Sequence, residues 1–242
     1  MGVHIATSSL STLQRTLDKW SLQCAVKDTP VYADTQVLDA TFCEDNLSFP
    51  VVVKPRTGSG SRGVRILHRQ ADLDDYPRNG KMIVQEYLPG REFSVDVFCH
   101  QGRVLQGSAR ARVKINNGIA VISQTVADDA LVESARMVCE TMGIEGAANV
   151  QFKLDADGNP KLLEINPRFP GGTSLTQEAG MDWVGATVTV ATGEVPVLEQ
   201  TIREVAMVRR YEEQYIEPGV IEDVPMTFQP FELGNLVSAN WD

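Results

Sequence analysis

Apolar residues recur at two different spacings along the chain, and each spacing predicts a different element. Helical spacing, with an apolar residue every three or four positions, occurs in two long stretches, residues 11–24 and 128–142. Shorter helices are predicted near residues 71–76, 174–180 and 183–192. The residues that define the two long apolar faces are Leu13, Leu17, Trp20 and Cys24 in the first stretch and Leu131, Ala135, Val138 and Met142 in the second.

Strand patterns fill the positions between these helices. A short apolar strand over 50–55 leads into a glycine-rich loop over 56–63, and a second strand follows over 64–67. From Glu92 to Cys99 apolar and polar residues alternate, which also predicts a strand. Because the strands cluster instead of alternating regularly with helices, the sequence predicts a mixed α+β fold. The remaining predicted strands cover residues 82–88, 119–126, 148–154 and 161–166.

The amino-acid composition indicates a globular protein and argues against a membrane protein or a nucleic-acid-binding surface. The chain has 242 residues, of which 43% are hydrophobic and 22% charged, and these values are typical of a folded globular protein. No run approaches the ~20 apolar residues of a membrane span, and the N-terminus lacks the regions of a signal peptide. We therefore expect a cytoplasmic protein with no membrane partner. The net charge of −10 argues against a nucleic-acid surface, so an anionic ligand would need a locally positive pocket.

Cysteine and histidine contribute little candidate chemistry. The four cysteines, Cys24, Cys43, Cys99 and Cys139, are scattered and form no CxxC pair. This pattern predicts reduced, mostly buried thiols and argues against a zinc site or a disulfide framework. The three histidines show no metal-binding spacing, and no Ser-His-Asp or Cys-His arrangement is recognisable.

The glycine-rich loop is the first candidate site. Gly58 to Gly63 satisfies the pattern G-x-G-x-x-G, but a dinucleotide-binding turn would need a helix directly after the glycines. The residues that follow, Val64 to Leu67, have the pattern of a strand, and no Gly-Lys-Ser/Thr of a P-loop is present. A strand–glycine loop–strand element favours a flap that offers backbone N–H groups to phosphates, with Lys54 supplying a positive charge. The alternative is a flexible surface hairpin with Lys54 in solvent.

The second candidate site combines oxygen-bearing side chains from two predicted strands. If these strands pair with Leu154 opposite Lys161, then Gln151 faces Glu164 and Asn149 faces Asn166. Hard oxygen donors with one formal charge suit Mg²⁺, which keeps waters and takes further ligands from phosphates. Arg168 follows and could hold a phosphate or carboxylate in bidentate fashion. The alternative is a hairpin with a polar outer face. The residues predicted to be buried behind this face are Val150, Phe152, Leu163 and Ile165.

In their order, these elements resemble the ATP-grasp superfamily, nearest the branch with the ATP-binding halves of the carbamoyl-phosphate synthetase large subunit. The resemblance implies an ATP-grasp fold, in which two α+β subdomains grip ATP between antiparallel sheets. It assigns residues 1–88 to a small lid subdomain with the flap, 89–210 to a large subdomain with the metal site, and 211–242 to a C-terminal extension. The matching segments, between about residues 18 and 210, are Asp18-Lys19, PVVVKPRTGSGSRGV, VQEYLPGREFSVDV, NVQF and LLEINPRFPGG.

The same resemblance implies a role for each matching residue in nucleotide binding. Lys19 and Lys54 would contact the ATP phosphates, and the glycine loop would be the mobile flap above them. The backbone of Gln85 to Leu88, at the end of the predicted strand over 82–88, would receive adenine, and Glu92 would hold the ribose hydroxyls. From the residues alone, Lys19 could also be a surface residue of its helix, and Glu86 and Glu92 could be solvated edge residues. The implied nucleotide-binding residues are Lys19, Lys54, Gly58, Ser59, Gly60, Ser61, Gly63, Gln85, Glu86, Tyr87, Leu88 and Glu92.

The resemblance also implies a metal set of Gln151, Glu164 and Asn166, with Glu164 bridging two Mg²⁺ ions, and Mn²⁺ is an alternative ion. Arg168 and Lys54 would be the catalytic residues, with Arg168 stabilising the transferred phosphoryl group. Arg110 and Arg112 alternate onto one strand face, where they could bind an anionic substrate or protect an edge strand by charge.

The activity implied is that of an ATP-dependent carboxylate–amine ligase. Such an enzyme phosphorylates a small-molecule carboxylate with ATP, and an amine or similar nucleophile attacks the acyl-phosphate. This chain begins almost at the first helix of the grasp, before which this branch usually carries an α/β domain. We therefore expect a truncated protein, one half of a split enzyme, or a minimal protein that works with a partner. One alternative is therefore an ATP·Mg-binding subunit of a split ligase, which reacts only with a separate chain that supplies the missing domain. A homodimer is also compatible with the resemblance, whereas the missing helix disfavours a Rossmann-type oxidoreductase.

Overall fold

The computed structural model describes residues 4–58, 60–116, 119–199, 201–210 and 215. Ser59 and almost all of the expected C-terminal extension over 211–242 lie outside these residues. The compact unit described below ends at Arg209. Its elements are α1 (Leu10–Leu17), α2 (Lys19–Ala25), β1 (Thr35–Val37), β2 (Val51–Pro55), β3 (Arg65–Leu67), β4 (Met82–Glu86), β5 (Glu92–His100), β6 (Arg103–Asn116), β7 (Ile119–Val126), α3 (Asp129–Met142), β8 (Gly146–Leu154), β9 (Pro160–Asn166), α4 (Thr173–Glu178), α5 (Trp183–Ala191) and β10 (Ala206–Val208).

The strands form two antiparallel sheets, in agreement with the predicted α+β class. The four-stranded sheet has the order β1-β4-β2-β3, and the six-stranded sheet has the order β10-β7-β6-β5-β8-β9. One face of the six-stranded sheet packs on α2 and α3 and forms a large apolar core. A smaller core of Leu38, Val51, Val53, Leu67, Leu73 and Val84 supports the four-stranded sheet. The opposite face of the six-stranded sheet carries polar side chains over part of its area, because side chains alternate between the two faces of each strand. On the rest of that face Phe98 and Ala147 pack with Trp183 of α5 in a third apolar cluster.

Helix α3 confirms the prediction made from its spacing, because Leu131, Ala135, Val138 and Met142 are all buried. The prediction of one helix over residues 11–24 is wrong. Asp18 has extended backbone dihedrals, ends α1, and caps α2 by accepting a hydrogen bond from the N–H of Trp20 at 3.0 Å. Leu17, which we placed on the apolar face, is 64% exposed, since α1 instead buries its threonines.

Two smaller expectations also differ from the structure. The predicted helix over 71–76 is a 3₁₀ turn, Gln70–Leu73, which buries Leu73. Only Cys99 and Cys139 are buried, whereas Cys24 and Cys43 are exposed, so the expectation of mostly buried thiols holds for half of them. In the part of the chain that the structure describes, no helix has the length and apolar character needed to cross a membrane.

Candidate functional site

A cleft lies between the glycine loop with the four-stranded sheet and the polar face of the six-stranded sheet. It collects residues from both candidate sites, so Lys54 on β2 and Glu164 on β9 line the same cavity. Most of the residues that we singled out for nucleotide or metal binding line this cleft. They are Lys19, Lys54, Gly58, Gly60, Ser61, Gln85, Glu86, Tyr87, Leu88, Glu92, Gln151 and Glu164.

Three further candidate residues are not part of the cleft lining as far as the described residues define it. Asn166 donates from Nδ2 to Oε1 of Glu164 at 3.0 Å, so it contacts a lining residue. Gly63 is the last residue of the glycine loop and lies against Pro55. Arg168 is exposed, and its guanidinium donates to the carbonyl of Phe169 at 3.0 Å. The backbone N–H of Arg168 donates to the carbonyl of Asn166 at 2.8 Å, but among the described contacts its guanidinium meets none of the other candidate residues.

Lys54 is buried at the base of the cleft, being only 6% exposed. Its Nζ donates to Oε1 of Gln85 at 2.7 Å, and Nε2 of Gln85 donates to Oγ1 of Thr35 at 2.9 Å. Desolvation lowers the pKa of Lys54 to about 8, and the positive charge of Lys19 acts in the same direction. Nearby Glu164 and Glu92 oppose this shift. The alternative of a solvated Lys54 on a surface hairpin is therefore wrong.

Lys19 connects the two sides of the cleft. It is the first residue of α2, and its backbone N–H donates to the carbonyl of Arg56 at 2.9 Å. Its Nζ donates to the carbonyl of Gly58 in the glycine loop at 3.0 Å and lies 3.9 Å from Oε2 of Glu164. The side chain is 13% exposed, so Lys19 is not a freely solvated helix residue.

The glycine hairpin, β2–β3 with the loop between them (Val51–Leu67), forms one wall of the cleft. Its loop needs glycine because φ is +136° at Gly58, +68° at Gly60 and +74° at Gly63, a region that L side chains rarely adopt. A Cβ at Gly63 would also lie 3.0 Å from Cγ of Pro55. Val64 and Ile66 belong to the same hairpin and line the cleft, which gives this wall an apolar section.

The oxygen hairpin, β8–β9 with its turn (Gly146–Asn166), forms the facing wall. Gln151 pairs with Glu164 and Asn149 pairs with Asn166, which confirms the two pairings that matter for the site. Leu154, however, lies opposite Pro160 and not Lys161, because the register shifts between Gln151 and Phe152.

This β-bulge changes the face on which one leucine lies. We placed Leu163 in the core behind the oxygen-bearing residues, but Leu162 is the buried residue, at 0% exposure, and Leu163 lines the cleft. A bulge opposes two residues to one and so reverses the alternation of side chains beyond it. Leu163 therefore joins Val52 and Ile66 as an apolar lining residue that sequence reasoning missed.

The two arginines of β6 have different surroundings. Strand β6 lies between β5 and β7, so the alternative that they protect an edge strand is wrong. Arg110 is buried and forms a bidentate ion pair with Asp96. Arg112 lines the cleft, pairs with Glu92, and donates to Oε1 of Gln151 at 3.2 Å. Glu92 is thus a paired lining residue and not a solvated edge residue.

The cleft has more basic than acidic lining residues, although the whole chain has a net charge of −10. Arg62, Arg112 and Lys153 complete the basic set with Lys19 and Lys54, and the acidic residues are Glu86, Glu92 and Glu164. Lys153 had a recognisable signal, because it lies two positions after Gln151 and so on the same strand face. This local positive charge is what an anionic ligand of an acidic protein requires.

Two antiparallel sheets with a glycine loop on one side and oxygen-bearing side chains on the other define a nucleotide-binding class of fold. The chain belongs to the ATP-grasp family: the family model described as "ATP-grasp in the biosynthetic pathway with Ter operon" matches residues 78–214, more than half of the chain.

Relatives and solved structures agree with this assignment. The chain is 33% identical to carnosine synthase 1 of Gallus gallus over 62% of its own length, and 29% identical to the carbamoyl phosphate synthase large chain of Clostridium botulinum over 51%. It covers only 19% and 13% of those two proteins. The fold matches a biotin carboxylase–β-γ-ATP complex from Campylobacter jejuni, with a TM-score of 0.70 and 19% identity over 82% of this chain and 51% of that chain.

Proposed function

We propose that the cleft binds ATP with Mg²⁺ and that the protein takes part in ATP-dependent ligation of a carboxylate to an amine. The observation that carries this proposal is the position of Lys54 and Glu164 on opposite walls of one cleft. Phosphates between them would meet positive charge and backbone N–H groups on one side and carboxylate and amide oxygens on the other. The chain's membership of the ATP-grasp family supports the same assignment.

The lining suggests how the nucleotide would lie. Val52, Ile66 and Leu163 form an apolar section that suits the faces of an adenine ring. The end of β4 and the following residues, Gln85 to Leu88, would offer backbone groups to its edge. Glu92 would accept from the ribose hydroxyls, which places the phosphates beside Lys19, Lys54 and the glycine loop.

The residues at the other end of the cleft fit a hard divalent cation. Within the described part of the chain no group of three or more His, Cys, Asp or Glu forms a closed metal site. Glu164 and Gln151 line the cleft as oxygen donors, and Asn166 is hydrogen-bonded to Glu164. Such an open set suits Mg²⁺, which is usually held by one or two carboxylates together with substrate phosphates and water. When bound, the ion would neutralise charge that develops on the phosphates.

The chemistry we propose requires positioning and no protein nucleophile. An oxygen of the substrate carboxylate attacks the γ-phosphorus, the bond to the β-γ bridging oxygen breaks, and ADP leaves. An amine then attacks the acyl carbon, the bond from that carbon to the phosphate oxygen breaks, and inorganic phosphate leaves while the amine gives up one proton to solvent. Lys54 and Lys19 would stabilise the charge on the phosphates, and closure of the glycine hairpin would exclude water from the acyl-phosphate. Arg168 would assist only if its exposed side chain turned towards the transferred group.

A second candidate function is supported by the extent of the relatives. The chain spans less than a fifth of the two curated relatives and about half of the biotin carboxylase chain. The remainder of those proteins is available to build an acceptor site. The alternative proposal is therefore a nucleotide-binding unit of a larger or split ligase, which binds ATP·Mg²⁺ but turns it over only with a partner.

The names of two similar proteins indicate where a substrate search should begin. One curated relative is a carnosine synthase, and a matching solved structure is an L-amino acid ligase from Bacillus licheniformis, with a TM-score of 0.59 and 19% identity over 74% of this chain and 48% of that chain. We propose amino acids as the first class to test.

The test is a screen for ADP release with amino acids, bicarbonate and small carboxylates, repeated with the products of neighbouring genes. Substrate-dependent ADP release by the chain alone supports the ligase. Release only with a second protein supports the split enzyme, and failure to bind ADP or ATP would refute both.

A further inference from the structure

Asp96 is a completely buried carboxylate on the polar face of β5, away from the lining of the cleft as far as the described residues define it. It accepts hydrogen bonds from three different elements. Nε and Nη2 of Arg110 on β6 donate at 2.8 and 3.1 Å, Nδ2 of Asn149 on β8 at 2.6 Å, and Oγ1 of Thr176 on α4 at 2.7 Å. We call these four residues the Asp96 cluster. A buried charge with this many donors is held in one orientation.

The cluster imposes a direction on two amides that lead from Asp96 to the cleft. A carboxylate only accepts, so Asn149 must point its NH₂ group towards Asp96 and its oxygen away. That oxygen, Oδ1, accepts from Nε2 of Gln151 at 3.2 Å. Because Nε2 is turned towards Asn149, the oxygen Oε1 of Gln151 faces the cleft, where Nη1 of Arg112 donates to it at 3.2 Å.

This direction matters because a side-chain amide binds a cation through its oxygen and repels it through its NH₂ group. We propose that Asp96 is a positioning residue that sets the amide orientation of Gln151 for metal binding. The inference rests on the proposed function, in which Gln151 belongs to the metal set. It gives Asp96, which the cleft lining does not include, a part in the site, and it gives Asn149 the role of orienting Gln151.

The two hydrogen bonds from Arg110, one to each oxygen, prevent the carboxylate itself from turning. Oδ2 of Asp96 accepts from Nε of Arg110 and from Thr176, which leaves Oδ1 for Asn149 and Nη2 of Arg110. The guanidinium in turn lies flat against Gly172, where a Cβ would come within 2.8 Å of Cζ of Arg110. The cluster is therefore clamped between the sheet and the segment before α4.

Two substitutions interrupt the chain of hydrogen bonds from Asp96 through Asn149 to Gln151 at different points. Asn149→Leu removes the amide that orients Gln151 but leaves Asp96 paired with Arg110, so no buried charge loses its partner. Asp96→Asn lets residue 96 present NH₂ or oxygen and so removes the direction at its source, although it leaves Arg110 without a carboxylate. Thr176→Val is the matched control, because it deletes a hydrogen bond to Asp96 without touching the Asn149–Gln151 path.

The experiment measures metal binding and nucleotide binding separately. Calorimetric titration with ADP in the presence of EDTA gives the metal-free affinity, and electron paramagnetic resonance of free Mn²⁺ gives the Mn²⁺ affinity of the ADP complex. We expect Asn149→Leu to weaken Mn²⁺ binding by about tenfold, as loss of an orienting partner of a metal ligand usually does. Its metal-free ADP affinity should be unchanged, and Thr176→Val should change neither quantity.

Each result decides between the possibilities. Unchanged Mn²⁺ affinity in Asn149→Leu overturns the inference, as does a parallel loss of metal-free ADP affinity, which would indicate a structural role. If Asp96→Asn does not fold, Asn149→Leu still provides the test. If the unsubstituted chain binds no ADP, the proposed function itself fails. If it binds ADP and Mn²⁺ but Asn149→Leu behaves identically, only the role of Asp96 is refuted.

Discussion

The two hairpins that face each other across the cleft differ in how firmly they are held. In the glycine hairpin only three residue pairs join β2 to β3, β3 is an edge strand, and the loop contains three glycines with positive φ. In the oxygen hairpin six pairs join β8 to β9, and Oδ1 of Asp155 ties the turn by accepting from the N–H groups of Asp157 and Asn159 at 3.0 and 2.8 Å. The glycine hairpin is therefore held by fewer contacts than the oxygen hairpin.

This difference matches what each hairpin would have to do. Backbone N–H groups above a phosphate are useful only after the nucleotide has entered, so their loop must open and close at low cost. Oxygen ligands of a cation must keep their spacing and their direction, which requires hydrogen-bonded support. The Asp96 cluster gives that support behind Gln151. Among the described contacts, the link between the glycine loop and Glu164 is indirect, because Lys19 donates to the carbonyl of Gly58 and lies near the carboxylate of Glu164.

The largest effect is expected where the rigid hairpin meets the phosphates. Glu164→Gln keeps the shape of the side chain but removes its charge, so metal-dependent ATP turnover should fall by at least about 100-fold. The circular dichroism spectrum and the thermal midpoint should change little, because Glu164 is only partly buried. Asp157→Asn, the same change in the exposed turn of this hairpin, is the control and should retain full turnover. Unchanged turnover in Glu164→Gln would refute its metal role.

The next effect concerns Lys54, which lies on β2 of the glycine hairpin. Lys54→Met should weaken metal-free ADP binding by about 10- to 100-fold, because one hydrogen bond to a charged group contributes about 1.5–3 kcal/mol. Calorimetric titration with ADP in the presence of EDTA measures this affinity. Lys81→Met, at an exposed lysine next to β4, is the control and should bind ADP as the unsubstituted chain does. Wild-type affinity in Lys54→Met would remove Lys54 from the site.

The pH dependence of binding follows from the same lysine. Burial lowers the pKa of Lys54 from 10.5 to about 8, so its charge is present at pH 7 and mostly lost at pH 9. Metal-free ADP affinity should therefore fall by about tenfold between these pH values, since the bound phosphates favour the charged form. Lys54→Arg, which stays charged, should bind with an almost constant affinity over this range. A flat profile for the unsubstituted protein would contradict the assignment.

Stability should respond in the opposite sense. A lysine with a depressed folded-state pKa binds fewer protons in the folded than in the unfolded chain between pH 8 and 10.5. Its contribution to the free energy of unfolding therefore rises with pH across that window. Chemical denaturation of the unsubstituted chain and Lys54→Met at pH 7.5 and 9.5 isolates this contribution. The free energy of unfolding of the unsubstituted chain should rise relative to that of Lys54→Met at the higher pH.

Much of this comparison could be predicted from the sequence, because both hairpins carry local signals. Strand patterns on both sides of the glycines indicated a flap, and alternation placed Gln151 with Glu164 and Asn149 with Asn166, as observed. The predictions that were wrong concern residues whose structure depends on partners distant in sequence. Asp18 breaks the first helix while Arg56, 38 residues away, holds its carboxylate.

The bulge and the Asp96 cluster were not predictable for the same reason. The turn of the oxygen hairpin closes between Asp155 and Asn159, so the strands need an extra residue, and the bulge exposes Leu163 to the cleft. Asp96 occupies an ordinary polar position in an alternating strand. Its partners Arg110, Asn149 and Thr176 become neighbours only through the order of the strands and the position of α4.

The smallest effects are expected from replacing one glycine in each hairpin by alanine, and these variants compare how firmly the two hairpins are held. Gly60 and Gly158 lie in the two turns, have φ of +68° and +86°, and would place a Cβ in open space. An alanine at either position therefore adds backbone strain of about 1 kcal/mol without a clash. In Gly60→Ala the strain should alter the flap and weaken metal-free ADP binding by up to about fivefold, with the free energy of unfolding unchanged. In Gly158→Ala the strain should lower the free energy of unfolding by about 1 kcal/mol and leave ADP binding unchanged, because the turn is part of the more firmly held hairpin.

Calorimetry and urea denaturation of the two variants distinguish these outcomes. Equal losses of stability without any change in binding would mean that the glycine hairpin is as firmly held as the oxygen hairpin.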